Sequence, residues 1–251
     1  MAKDTIILSA DTSNLKFSIA LLIGVNPEQP VVSPSNQGRG PELVEQFTSI
    51  APGRQSSDML LEIDKLLSRH SYGIEDVDLF SVGLGPGSFT GLRIGVTTIR
   101  AMALALKKPI IGIPSIDALA YAVADNNQDI CVIIDAKQAK VYACFYKQNK
   151  GIIKPAGKIL LLPIDELLAR VKAPALFTGD AIALYKEPIL KANIAGVNFT
   201  SEEAWLPKAA IIGALGFGKW KKRYRDSVFT LAPLYIYPKE CSIKNAGKHS
   251  S

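Results

Sequence analysis

The chain has 251 residues, of which 48% are hydrophobic and 21% charged, with 19 glycines and 15 prolines; this excludes a disordered or collagen-like chain and suffices for one large domain or two moderate ones. The net charge of +6 suits an RNA or phosphate-bearing partner without specifying one. No run approaches the roughly 18–20 apolar residues of a membrane span, and the start, MAKDTIILSAD, lacks a signal-peptide core, so no membrane association and a cytoplasmic location are expected.

Residues 5–10 read as a strand, Asp11-Thr12-Ser13-Asn14 as a tight turn of the kind Asp and Asn stabilise, and residues 15–24 as a second strand. A Pro/Gly/Ser-rich loop is expected over 26–41, a third strand near 43–50 and a helix over 57–69. Ser57 and Asp58 are candidate caps of that helix. Leu60, Ile63 and Leu67 form one apolar stripe on it, widened by Met59 and Leu66.

A strand over 77–84 then meets Gly85-Pro86-Gly87-Ser88-Phe89-Thr90-Gly91. Four glycines and a proline within residues 83–91 cannot lie mid-helix or mid-strand, which makes the segment a strand-to-helix elbow. Its bare amides beside a helix start could receive an anion or another backbone, or simply turn the chain. It is neither a Walker loop, lacking the following Gly-Lys-Ser/Thr, nor a GxGxxG fingerprint. The helix after it, to about residue 106, carries only Arg93 and Arg100 as charges, while Ile94, Val96, Ile99, Met102 and Leu104 spread round its faces. A helix apolar nearly all round must be covered on two sides. The second cover is either the same molecule or a partner protein.

Residues 109–114 (PIIGIP) form a strand and 115–124 a helix, after which the pattern restarts: strands at 129–135, 140–148 and 158–163, a helix at IDELLARV, a strand over 175–180 and a helix at AIALYKEPILKA. Asp11 and Asp135 each end an apolar strand before a hairpin, so a duplicated α/β fold with a central cleft is expected. The organisation reads as a first lobe over 1–110 with the elbow and partner helices, a second, degenerate lobe over 111–230, and a tail over 231–251. Cysteines at 131 and 144 lie in strand runs as small hydrophobes, and His70 and His249 have no Cys or His at ligand spacing, so no metal site is expected.

The runs IILSADTS (6–13), LGPGSFTGLRIGVTTIRAMALALKKPIIGIPSIDALA (84–120) and IIDAKQAKVYACFY (133–146) resemble the bacterial TsaB (YeaZ) family, and the likeness continues weakly through TGD (178–180) and PLYIYP (233–238). The resemblance implies the actin-like ATPase/sugar-kinase (ASKHA) fold, two related lobes each with a mixed sheet and flanking helices. It also implies a scaffold or activating subunit for threonylcarbamoyladenosine formation beside the tRNA anticodon. The implied partners are a TsaD-like paralogue that performs the transfer and a TsaE-like ATPase, with tRNA reached through the complex and a homodimer when the chain is alone. Ala10, Gln55-Ser56-Ser57-Asp58, Lys137, Lys140 and Tyr237 depart from the family pattern, so no role carries over to those side chains.

Three readings compete. For an enzyme, active members of the fold hold Mg-nucleotide through an Asp near each turn; Asp11, Thr12 and Asp135 are the candidates here, although Asp135-Ala136-Lys137-Gln138 lacks a glycine for close approach to phosphate. ATP or ADP binding is therefore not expected, and neither histidine accompanies a serine motif that could act as a nucleophile. For a scaffold, the resemblance places a four-helix contact on 57–69 and 91–106, with Leu60, Ile63, Leu67, Arg93, Ile99 and Met102 as interface residues and Gly85, Pro86, Gly87, Ser88 and Gly91 as the structural elbow. For an RNA binder, Lys219, Lys221, Lys222, Arg223 and Arg225 interleave with Trp220 and Tyr224, as phosphate contact with stacking requires. The same cations also suit a solvated helix C-terminus.

Overall fold

A computed structural model describes residues 4–24, 40–49, 55–124, 128–149 and 152–236, without the side chains of 55–57. Most of the loop expected over 26–41, and residues 237–251 of the tail, lie outside the described residues.

The first half contains β1 (Thr5–Asp11), β2 (Ser18–Gly24), β3 (Glu42–Thr48), α1 (Gln55–Arg69), β4 (Leu79–Gly83), α2 (Phe89–Ala105), β5 (Ile110–Ile113) and α3 (Ser115–Tyr121). The second contains β6 (Asp129–Asp135), β7 (Lys140–Asn149), β8 (Ile152–Pro155), β9 (Leu160–Pro163), α4 (Ile164–Leu168), β10 (Ala175–Thr178), α5 (Ile182–Lys191), β11 (Val197–Phe199) and α6 (Ala209–Lys221). α1 starts at Gln55, so Asp58 sits inside its first turn and not at its cap. There its charge still favours the positive helix end. β8 and β11 were not expected: the one is a largely exposed edge strand and the other has three residues, so neither carries a usable pattern.

The two sheets repeat one plan. The first runs β3-β2-β1-β4-β5 and the second β8-β7-β6-β10-β11, with β9 also pairing β7. In each, the opening strand pairs antiparallel with its hairpin partner and parallel with the strand that follows a helix. This duplication is the arrangement expected from the placement of Asp11 and Asp135.

Both faces of each sheet are covered, which is why β1 is buried at all seven residues. α1 and α2 pack on one face of the first sheet through Met59, Ile63, Leu66, Leu67, Val96, Ile99 and Ala103. The other face is covered by α6, which comes from the far end of the chain, through Ala209, Ile212 and Phe217. Reciprocally, α3 leaves the first sheet and packs by Ile116, Leu119 and Ala120 on the second. α4 and α5 cover the remaining face around Phe177. The two lobes thus exchange helices. β5 extends past the boundary read at residue 110, and α6 belongs spatially to the first sheet. Cys131 and Cys144 are buried free thiols inside the second sheet's cores, and burial pushes both up from the ordinary thiol range.

After α6 the chain returns along the first lobe as a strap. The Asp226 amide donates to the Ile110 carbonyl at 3.1 Å and its carboxylate accepts from the Gly112 amide at 2.8 Å. Arg100 donates to the carbonyls of Val228 and Phe229 at 2.9 and 3.1 Å, and the Leu234 amide donates to the Leu84 carbonyl at 2.9 Å. Leu231 is buried, so the first residues of the expected tail are part of the core.

Candidate functional site

The first hairpin turn and the glycine elbow form one unit. Asp11 is 2% exposed. Its Oδ1 accepts from the Ser13 amide at 2.9 Å and the Ser13 hydroxyl at 2.6 Å, while its Oδ2 accepts from the Ser115 hydroxyl at 2.5 Å. Ser115 Oγ in turn accepts from the Gly85 amide at 2.9 Å. The Ser88 amide donates to the Ser13 carbonyl at 2.6 Å, and the Ser88 side chain caps α2 at the Gly91 amide. A Cβ added to Gly87 would lie 2.0 Å from the Ser13 carbonyl oxygen, and one on Gly91 2.2 Å from that of Thr12. Gly95 stands as close to the Thr12 side chain. Of the readings left open for the elbow, the second backbone is the one realised. Gly85, at φ +91°, bends the chain so that Gly87 comes against this turn. Ser115 escaped sequence analysis because it acts 104 residues from its partner.

Burial pushes the Asp11 carboxyl up from its ordinary value of 3.8, against the opposing pull of Ser115 and Ser13. Its folded form therefore keeps a proton at pH values where the unfolded form has lost it, so its contribution to stability declines as pH rises above about 3.8. Asp11→Asn is expected to be at least as stable as the parent at pH 7, with the difference shrinking toward zero as pH approaches that value. Urea unfolding across pH checks this; a deficit that grows with pH contradicts it.

The second turn repeats the first with different chemistry. Asp135 accepts from the Lys137 amide at 2.8 Å and the Lys137 ammonium at 2.5 Å. Lys137, Gln138 and Ala139 all have positive φ, so this turn takes the left-handed form without the glycine that would relieve it. A Cβ on Gly179 would lie 2.1 Å from the Ile133 carbonyl oxygen, the counterpart of the elbow's approach to the first turn. Asp180, next to it, accepts from the Asp135 amide at 2.9 Å and, across the cleft, from Asn14 Nδ2 at 2.7 Å. Burial pushes the Asp180 carboxyl up. Asn14, Ser115 and Asp180 thus join Asp11, Thr12 and Asp135 at the cleft floor.

The expected partner surface is partly relocated. Ile63, Leu67 and Ile99 are at most 2% exposed and belong to the molecule's own core. They correct the sequence reading: the stripe that looked available for a partner is the one the first sheet requires. Met102 is half-buried against the same core. Leu60 is 55% exposed, and Leu61, Phe89 and Leu104 are similarly open on the two helices, which pack against each other. Arg93 is exposed beside them, its guanidinium 3.9 Å from the Phe89 ring centre and donating to the Tyr235 hydroxyl at 3.2 Å.

Of the five cations in the basic segment, Lys222, Arg223 and Arg225 are exposed and Lys219 and Lys221 half-buried. Lys219 donates to the Gly112 carbonyl at 3.4 Å, and Lys221 stands 5.7 Å from the Phe217 ring. Arg225 donates to the carbonyls of Trp220 and Tyr224 and lies over the Trp220 ring. The five cations do not form one outward stripe.

The duplicated sheets, exchanged helices and paired turn-and-elbow units place the molecule in the actin-like ATPase/sugar-kinase fold class. A family model described as TsaD, tRNA N6-adenosine threonylcarbamoyltransferase, matches residues 49–237. The chain belongs to the TsaB (YeaZ) family. The tRNA threonylcarbamoyladenosine biosynthesis protein TsaB of Haemophilus influenzae is 30% identical over 92% of this chain and 92% of the relative. That of Bacillus subtilis is 28% identical over 73% of this chain and 74% of the relative. The solved structure of YeaZ from Pseudomonas aeruginosa shares the fold at a TM-score of 0.71 and 23% identity, covering 92% of this chain and all of that one.

The nucleotide this fold class commonly holds does not suit the residues present. Both Asp11 oxygens are engaged internally, the elbow glycines are filled by Thr12 and Ser13, and Asp135 is paired with Lys137. Among the described residues no group of His, Cys, Asp and Glu is placed to hold a metal ion, and no helix is long and apolar enough to cross a membrane.

Proposed function

We propose that this chain is a non-catalytic subunit of the machinery that makes threonylcarbamoyladenosine in tRNA, pairing with a TsaD-like transferase and working beside a TsaE-like ATPase. The observation that carries the reading is the apolar surface left open on α1 and α2: Leu60, Leu61, Phe89 and Leu104 are each about half exposed. Side chains of this size are stabilised by about 1.5–3 kcal/mol each when fully buried. A helix-pair face of this kind fits a matching pair on a protein of the same fold, in a contact of about 1,200–2,000 Å². In the absence of that paralogue, the same face joins two copies of this chain.

The cleft supports the non-catalytic part of the reading, since its carboxylates and amides are committed to holding the two turns. Direct RNA recognition by the end of α6 is a second reading: Lys219 bonds inward, while Lys222, Arg223 and Arg225 stay exposed. The test is reconstitution of the tRNA modification from TsaD-like and TsaE-like proteins with and without this chain. The reading expects product formation to depend on its addition; an undiminished rate without it would overturn the assignment.

A further inference from the structure

We infer that the outer face of the β7–β8 hairpin is a contact surface for the phosphate backbone of RNA. The inference rests on the tRNA-modification reading above and concerns a different face from α1 and α2. Residues 114–207, which build the second sheet and the helices on it, carry 10 Lys and Arg against 10 Asp and Glu. Two of those cations, Lys147 and Lys154, meet across the β7–β8 ladder of the second sheet.

Within that sheet, Lys147 and Lys154 stand directly opposite one another in the antiparallel register, with Asn149 opposite Ile152 on the same face. All four are exposed and line a shallow concavity of about 270 Å³. This is the face of the sheet that α4 and α5 cover elsewhere: Phe145 packs under them, and Lys147 follows two residues on, beyond that cover. Like charges directly opposed across two strands are unfavourable. Lys147 is relieved by an ion pair with Asp129. Among the described residues Lys154 has no acidic partner. Two cations a cross-strand distance apart, one of them uncompensated, match successive phosphates of a polyanion, to which lysine binds as a point charge. Asn149 adds a hydrogen-bonding group, and Ile152, 55% exposed, adds an apolar pad for a ribose or base. A phosphate-rich strand complements Lys154 and Asn149 and competes with Asp129 for Lys147, whereas an apolar partner would bury Lys154 unpaired.

The test is fluorescence anisotropy of a labelled, unmodified tRNA transcript with the full chain over a salt series. The comparison variants are Lys154→Gln alone and Lys147→Gln with Lys154→Gln. The double variant should bind at least about tenfold more weakly at low salt, with the slope of log affinity against log salt reduced by about 1.4–1.8, the loss of two phosphate contacts. The single variant, which leaves the Asp129 pair intact, should lose about half of that slope, and thermal unfolding should be unchanged. Unaltered affinity and slope in both variants would overturn the inference. So would absence of tRNA binding by the parent at low salt, an equal loss from Lys222→Gln with Arg223→Gln, or tighter binding of polyglutamate than of tRNA, which would assign the face to an acidic protein. Each of these leaves the dependence of reconstituted modification on the chain untouched, so failure here and failure of the functional reading are distinct.

Discussion

Aspartate at both Leu60 and Leu104 is expected to abolish co-purification with the TsaD-like partner and to leave the isolated subunit folded. Both side chains are about half exposed, so a carboxylate at either position stays hydrated in the free molecule and costs little. In the complex the same carboxylate would be buried against apolar side chains without a partner. Interface residues of this kind lose about 2 kcal/mol or more on disruption, and two together weaken binding by at least about 100-fold. Ile63→Asp and Ile99→Asp supply the contrast. Their parents are at most 2% exposed, and a charge there would lie inside the core of the first lobe, at a cost above about 4 kcal/mol. Those variants should unfold before any effect on pairing can be read. Pull-down with circular dichroism of all three variants separates the surface from the core. Normal pairing by the folded Leu60→Asp/Leu104→Asp variant would place the interface elsewhere.

Gly91→Ala is the second large effect, and its sign runs against helix propensity. Gly91 sits in the first turn of α2, where alanine ordinarily stabilises by about 0.5–1 kcal/mol. Here the added Cβ would lie 2.2 Å from the Thr12 carbonyl oxygen. That oxygen belongs to a turn fixed by Asp11, Ser13 and Ser88, so the clash cannot be relieved by a side-chain rotation. Overpacking against backbone costs about 1–3 kcal/mol, and with the propensity gain set against it the net expectation is a loss of about 1 kcal/mol, read by chemical denaturation. A stability gain would mean that the elbow does not press on the first turn. The affected unit also carries α2, so the variant should weaken partner binding as well, through position and not through lost contacts.

Much of this fold is written in local pattern. The repeated strand, turn and strand around Asp11 and Asp135 produced the two equivalent sheets, because an apolar run ending in an Asp-led turn is specified by neighbours in sequence. The glycines of the elbow were equally legible, although what approaches them was not. Their occupant is Thr12-Ser13, more than 70 residues away, and no spacing rule reports it. The exchange of α3 and α6 between lobes was hidden for the same reason: each helix looks like the continuation of its own half. α6 adds a second difficulty, being apolar and glycine-rich throughout, so that no stripe announces its face. Ile63, Leu67 and Ile99 were assigned to a partner because a helix apolar on several faces does not reveal which one its own sheet will take. Burial decided that in favour of the sheet, leaving Leu60, Leu61 and Leu104 outside. At the cleft floor, Asp180 and Ser115 complete the bonding of Asp135 and Asp11; both fall in runs that carry the family resemblance, but no spacing rule reports their distant partners.

The most direct measurement is the rate of tRNA modification in a reconstituted system supplied with either of two folded variants, Asp135→Asn in the cleft and Leu60→Asp/Leu104→Asp on the helix pair. Asparagine keeps the acceptor oxygen for the Lys137 amide while removing the charge a nucleotide site would use. The rate with the cleft variant should equal that of the parent, and the rate with the helix variant should fall to that of a mixture lacking the subunit. A cleft variant without activity, alongside a helix variant that supports the full rate, would contradict a docking role for α1 and α2 and assign the chemistry to the cleft.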